Sequence, residues 1–247
     1  MYRRTLCFEA SSVTSLTIGS SRILLSASFR FITFEDIAHL EKRIQKMLTF
    51  TKEEGVMKEL LLKIGRELGR LGLVSSHSGN LSIRTKEGLL ITRHKAMLAS
   101  LSEEDLVEAP LFGQVEGASS ELEVHQSIYL NTEAKAIIHC HPPYAVLLSL
   151  YLEEIKPVDA EGKHILQSVP VVEFKESVAS KEVAQALPHY LKTKKIVIIR
   201  GHGSFAIGDD LEEALMYTSS LESSAKILYL ALLLQAIVEK TPKGGVS

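Results

Sequence analysis

The chain has 247 residues, 28 Lys and Arg against 30 Asp and Glu, and a formal charge of −2. That balance excludes a global electrostatic drive toward nucleic acid, and 45% apolar with 23% charged residues excludes a disordered or collagen-like chain. Two cysteines, Cys7 and Cys140, exclude a disulfide framework and a Cys-rich zinc site, so the nine histidines are the residues to follow if a metal is involved.

The first 46 residues differ from the rest. Positions 1–30 carry Arg3, Arg4, Arg22 and Arg30, many serines, and Glu9 as their one acid. This is the composition of a transit-type leader. Translated upstream sequence, with Met47 or Met57 as the start, is the slightly preferred alternative, because the later chain reads as a complete domain. We therefore expect an N-terminal extension over 1–46 and one folded domain over 47–247. The stretch Phe34–Met47 has helical periodicity and predicts an extra helix.

The body opens with a helix, in which Met57, Leu60, Leu61, Ile64, Leu68 and Leu71 recur at helical spacing and Gly72 is the expected C-cap. SSHSGNLSIR reads as a polar, Gly-containing turn feeding a strand. LSIR and LLIT are strands joined by a tight Lys86-Glu87-Gly88 turn. Ser119 is expected to N-cap the helix SSELEVHQSIYLNT, with acids in its first turn. AIIHCH is a β-rich run stopped by Pro142-Pro143, and a helix through Leu150 follows. QSVPVV and KKIVIIR are further strands with a helix around Val178–Leu191 between them. Gly201-His202-Gly203 leads into SFAI, and a long helix covers Leu211 to Glu239. Its apolar run, Ile227 to Val238, is about two-thirds of the ~20 residues that span a bilayer, so a buried helix is expected and no membrane span. The pattern predicts one α/β domain: a three-layer α/β/α sandwich around a mainly antiparallel or mixed central sheet.

Side chains alternate faces along a strand, so His139 and His141 project to one side, roughly 6–7 Å apart at Cβ, while Cys140 points into the packing. Taken alone, two histidines at a strand end are as readily solvent-facing as metal-binding. His202 shifts that balance. It sits between glycines directly after an apolar strand, where the backbone can turn sharply and leave the imidazole at the sheet edge. Three neutral imidazoles with an open position describe a catalytic zinc site. Glu121, two residues beyond Ser119, is in isolation ordinary helix-dipole decoration. Glu123 and His125 on the same helix take the same plain reading. Gly79-Asn80 with its serines, and Ser119-Ser120, form turns of the kind that bind phosphate through N–H groups, a weak pattern alone.

In order, SSHSGNLSIR, LLITRHKAMLASLSEEDLV, SSELEVHQSIYLNTEAKAIIHCHPPYA and IIRGHGSFAIGDDLEEAL resemble the motif blocks of the class II aldolase/adducin family, from about residue 54 to 235. The nearest branch looks like the L-fuculose-phosphate aldolases. The resemblance implies an α/β sandwich around an antiparallel sheet. It also implies a cytoplasmic homotetramer with sites at its interfaces, and one Zn²⁺ per subunit on His139, His141 and His202. Glu121 would ligate zinc in the empty site and act as the base with substrate present. Gly79, Asn80, Ser119 and Ser120 would cradle a phosphate. The implied reaction is cleavage of a ketose 1-phosphate, through an enediolate, to dihydroxyacetone phosphate and an aldehyde such as lactaldehyde. Zinc would supply the Lewis acidity and Glu121 the proton transfer.

Two departures stand out. Where the family shows Ile-Thr-Pro-(Ser/Thr)-Gly, this chain has Ile91-Thr92-Arg93-His94-Lys95, so Lys95 or Arg93 is expected to meet the phosphate as a charge. The segment where the fuculose enzymes carry a proton-donating Tyr holds Asp159 and Glu161 but no Tyr, leaving Tyr144, Tyr217 and Tyr229 as substitutes. Alternatives on the same metal site are a methylthioribulose-1-phosphate dehydratase and a pentulose-phosphate 4-epimerase. A non-catalytic, adducin-like interaction protein is the alternative of another class. It expects lost ligands, whereas all four candidates are present here.

Overall fold

The computed structural model describes residues 16–18, 21–23 and 34–240. The expectation of a leader therefore falls mostly outside the described residues. The chain divides into two units, Met1–Gly55 and Val56–Ser247. In the first, β1 (Leu16–Ile18) and β2 (Ser21–Ile23) form an antiparallel hairpin.

Helix α1 runs unbroken from Phe34 to Arg70. The separate helices expected over Phe34–Met47 and from Met57 are thus one element. Proline is absent between them, and the single Gly55 costs a helix only about 1 kcal/mol. Its end is closed by a Schellman pair: Leu73 N–H donates to Leu68 O (3.0 Å) and Gly72 N–H to Gly69 O (3.1 Å), with Gly72 at φ +69°.

The larger unit continues as β3 (Asn80–Arg84), β4 (Leu89–Thr92), β5 (Leu106–Ala109), α2 (Leu122–Asn131), β6 (Ala136–Cys140) and α3 (Pro143–Ser149). Next come β7 (Glu154–Ile155), α4 (Ala160–Ile165), β8 (Val169–Val172), α5 (Lys181–Leu191), β9 (Ile196–Ile199), β10 (Gly203–Gly208) and α6 (Leu211–Lys240). The strands make one eight-stranded sheet in the order β5-β4-β3-β6-β10-β9-β8-β7. All pairs are antiparallel except β8–β9, which α5 connects as a crossover.

Alternation along the strands builds two cores. Leu81, Ile83, Ile138, Cys140 and Ile198 face α1, α3 and α6, where Leu61, Ile64, Leu148 and Leu221 meet them. Ile91, Ile137, Val197, Phe205 and Ile207 face α2 and α5, through Leu122, Ile128, Val183 and Leu187. The sheet is thereby covered on both faces, the three-layer arrangement expected.

One expectation is corrected. Most of the apolar run at the end of α6 is not buried: Ile227, Leu230, Leu232, Leu233, Leu234, Ile237 and Val238 are 41% to 71% exposed, while Leu228 and Tyr229 are half-buried against the core. A 30-residue helix is about 45 Å long, against about 17 Å for a five-residue strand, so the sheet covers only its first half. By length and composition alone, Leu211–Glu239 is long and apolar enough to cross a bilayer, its most apolar 18-residue stretch having mean hydropathy 1.5. Its first half, however, is core, with Leu211, Ala214, Leu221 and Ala225 buried.

Candidate metal centre

Antiparallel pairing brings the polar motifs to one end of the sheet. Asn80 at the start of β3 lies opposite His139 near the end of β6, and His139 lies opposite Phe205 of β10. The strand β6 stops because Pro142 and Pro143 supply no N–H, and Pro143 starts α3 instead. His141 is left at the strand tip, its N–H on Leu73 O at 2.9 Å. His202 sits in the turn between β9 and β10.

The three imidazoles form a nearly equilateral triangle. Ring centroids are 4.9 Å apart for His139–His141, 4.9 Å for His139–His202 and 5.0 Å for His141–His202. One nitrogen from each lies within 4.8 Å of the others. His139 donates its Nδ1–H to Ser204 O (3.0 Å) and stacks on Phe205 at 4.1 Å, which leaves Nε2 bare and fixed in direction. That Nε2 is 3.2 Å from His141 Nε2. Gly203 permits the approach. A Cβ there would stand 2.5 Å from Cys140 O and from His141 Cδ2, and 3.1 Å from His139 Cε1.

Glu121 lies beside this group. It is the N-cap residue of α2 rather than a first-turn residue, and no side chain caps the helix. Ser119 precedes the helix in a turn: its O accepts from Leu122 N–H (3.0 Å) and its Oγ from Glu121 N–H (3.2 Å). The Glu121 carboxylate is thereby turned inward. Oε1 accepts from Ala179 N–H at 3.1 Å, and Oε2 lies 3.9 Å from His139 Nε2. Oε2 and His202 Nδ1 are buried with no hydrogen-bond partner. Buried orphans are rare, and an unpartnered carboxylate oxygen 3.9 Å from His139 Nε2, beside three clustered imidazoles, suits a cation. Burial dominates the titration. It raises the Glu121 carboxyl to about 7, against the opposing Ala179 N–H. It holds His139 well below the usual imidazole range, aided by His202 and His141, and lowers His141 to about 4 and His202 below its usual value. The rings are neutral donors at neutral pH. Three imidazoles and a carboxylate, with no thiolate, suit a divalent transition metal with an open position.

The other expected residues divide. Gly79, at φ +81°, packs where a Cβ would meet His139 O at 2.6 Å, so only glycine lets this turn lie against β6. Asn80 and Ser119 are buried beside the cluster, and Ser120 is exposed next to it. Thr92 ties these segments together: its Oγ1 accepts from Leu81 N–H (3.2 Å) and its O from Ser119 N–H (3.2 Å). Arg93 is committed elsewhere, in a 2.5 Å ion pair with Asp105. Lys95 is exposed, at φ +58°, its O accepting from His77 Nδ1–H at 3.0 Å.

The proposed tyrosine substitutes lie apart. Tyr217 donates to Glu213 (3.2 Å) and borders Ile196, the end of β9 remote from His202. Tyr144 and Tyr229 pair at 5.6 Å against the core on the opposite face from His139. Asp159 caps α4 through Gly162 N–H at 2.7 Å. His125, for which ordinary helix-dipole decoration is the plain expectation, is fully buried between Asn80 and Ser82. The signal was available: it shares the helical stripe of Leu122, Ile128 and Tyr129, an ionisable group on an apolar face.

A model of the class II aldolase and adducin N-terminal domain matches residues 59–229. The chain is 30% identical over 181 residues to an L-fuculose phosphate aldolase of Methanocaldococcus jannaschii, covering 72% of this chain and 98% of that protein. It is likewise 30% identical over 182 residues to a 3-oxo-tetronate 4-phosphate decarboxylase of Haemophilus influenzae, covering 70% and 86%. Among solved structures, an L-fuculose-1-phosphate aldolase from Thermus thermophilus superimposes with a TM-score of 0.72 at 38% identity, covering 77% of this chain and 98% of that one.

Proposed function

The chain belongs to the class II aldolase and adducin family, and on that premise we propose that it is a zinc-dependent aldolase. Its substrate is a ketose 1-phosphate of the L-fuculose 1-phosphate kind, cleaved to dihydroxyacetone phosphate and an aldehyde. The observation that carries this reading is the meeting of three neutral imidazoles with the unpartnered Oε2 of Glu121. His139, His141, His202 and Glu121 would hold the ion. As a Lewis acid, zinc supplies the positive charge that an enediolate requires and water provides poorly.

The chain's own residues do the rest. The Ser204 carbonyl holds the His139 ring so that only Nε2 faces the site. Glu121 takes and returns the proton at the reacting carbon or hydroxyl. Burial lifts its affinity for a proton to about 7, the range in which a carboxylate can take and return a proton at neutral pH. Gly79, Asn80, Ser119 and Ser120 bind the phosphate through N–H and hydroxyl groups, with Lys95 supplying the charge from the rim. The subunits assemble as a cytoplasmic homotetramer with active sites at the interfaces. The exposed apolar end of α6 supports an assembly in which another copy covers it.

A second reading has support from one relative. Loss of CO2 from a 3-oxo acid phosphate leaves the same kind of enediolate as aldol cleavage, so the Haemophilus influenzae relative favours a decarboxylase on this site. Metal analysis coupled to product analysis separates the cases. The aldolase reading expects about one zinc per chain, dihydroxyacetone phosphate from L-fuculose 1-phosphate, and loss of turnover in chelator. Carbon dioxide release from a 3-oxo acid phosphate without aldol cleavage moves the function to the second reading. Full activity of metal-free protein rejects both.

A further inference from the structure

Behind Asn80 runs a buried chain of polar groups that the reaction above does not use. His125 Nε2 is 2.5 Å from Asn80 Oδ1, and its Nδ1 is 2.7 Å from Ser82 Oγ. Ser82 Oγ is in turn 2.7 Å from Tyr129 OH. Asn80, Ser82, His125 and Tyr129 are all buried, and α2 and β3 supply them as facing pairs.

Such a chain can carry its protons in either of two directions, and the Tyr129 end decides between them. The Tyr129 hydroxyl has Ser82 as its one partner among the described residues. If Ser82 donated to Tyr129, the phenol proton would be buried with no acceptor, which costs roughly 1–3 kcal/mol. Tyr129 therefore donates to Ser82, and Ser82 donates to His125 Nδ1. The neutral ring then carries its one proton on Nε2 and donates it to Asn80 Oδ1. Burial with no anionic partner keeps the ring neutral. With Oδ1 taken, the Asn80 amide presents its NH2 to the site, one strand from His139.

We propose that His125 is a positioning residue that locks the Asn80 side chain with its amide donor toward the anionic group of the substrate. The phosphate of a sugar phosphate is the ligand that this donor fits, and to that extent the proposal rests on the function proposed above. Without His125 the amide is free to rotate and offers an acceptor to an anion half the time.

The test compares two substitutions in the full-length, zinc-loaded protein. In His125→Gln the side-chain amide reaches the position of Nε2 and can still donate to Asn80. In His125→Asn it reaches only the position of Nδ1, keeping Ser82 and losing Asn80. Calorimetric titration with dihydroxyacetone phosphate reads the outcome. Wild type and His125→Gln should bind within about threefold of each other, and His125→Asn on the order of tenfold more weakly, the worth of about one directed hydrogen bond. Equal weakening in both variants overturns the positioning role while leaving the function standing. A wild type that binds no dihydroxyacetone phosphate overturns the function, and the proposal with it. Should either variant fail to fold, nitrogen-15 spectra of selectively labelled histidine in the unsubstituted protein decide the point. A protonated Nε2 and a bare Nδ1 at His125 are expected, and the opposite tautomer overturns the proposal.

Discussion

Adding one methyl group at Gly203 should disable the proposed metal centre without replacing any of its ligands. The new Cβ would lie 2.5 Å from Cys140 O and 2.5 Å from His141 Cδ2. Carbon contacts relax at about 3.5–4.0 Å, so something must move by about 1 Å. Cys140 O belongs to the β6–β10 ladder, where Ser204 lies opposite Cys140, and it resists displacement. The His141 ring at the strand tip is the group that yields. Gly203 is not in the left-handed region, so Ala is allowed by the backbone and the substitution tests space alone. Overpacking of this kind costs about 1–3 kcal/mol of stability. Metal sites tolerate about 0.2 Å, so a 1 Å shift of one ligand should weaken zinc by at least the roughly 10–100-fold typical of lost ligand orientation. Zinc competition against a chromophoric chelator reads the affinity, and melting with and without zinc reads the linkage. Unchanged zinc affinity in Gly203→Ala would refute the placement of His141 beside β10.

The stability of zinc-free protein should fall in acid partly through His125. Its ring titrates near 3 in the fold, because of burial, against about 6.5 unfolded. The contribution is complete above about pH 6.5 and is lost as pH falls toward 3, by about 2–3 kcal/mol between about pH 6.5 and 4.5. Urea melts of His125→Gln should show a correspondingly shallower pH dependence, and an identical slope would contradict it. Glu222 accepts from Tyr144 N–H (3.0 Å) and Ala145 N–H (3.0 Å) at the start of α3, directly after His141. Glu222→Ala should cost about 1–2 kcal/mol in denaturant unfolding. Lys95→Ala should raise KM for a phosphorylated ketose on the order of tenfold with zinc content unchanged. Unaltered kinetics would remove Lys95 from the phosphate site.

How far the sequence could be read follows from which features are local. His139 and His141 were legible because strand alternation alone sends both to one face. The glycines around His202 announced a turn that leaves the ring at an edge. The convergence of the two strands was not legible from alternation. It depends on the β6–β10 pairing, across 65 residues between His139 and Ser204, and entered through the family resemblance. Glu121 reads as a first-turn residue of a helix capped by Ser119, but the Ser119 turn starts α2 two residues later and turns the carboxylate to the imidazoles. His125 reads as ordinary helix-dipole decoration by residue type, and only its place on an apolar stripe argues for burial. Arg93 and Lys95 looked equivalent until the ion pair with Asp105 separated them. The edge strand β5 buries only its last residue, so it lacks the apolar signature of the equally short β4 and β9, while β7 and α4 carry too few residues for a period to show. The end of α6 reads as core by composition, and its exposure comes from helix length against strand length.

Replacing Glu121 with Gln is the most direct test of the site's chemistry. The amide keeps the shape of the carboxylate and removes its capacity to accept a proton. Zinc measured by elemental analysis should remain near one per chain, while kcat for cleavage of L-fuculose 1-phosphate falls by ~10²–10⁴-fold, the contribution of a positioned proton-transfer group. A Glu121→Gln protein that retains zinc and cleaves the ketose phosphate at the wild-type rate would contradict the assignment of Glu121 as the base.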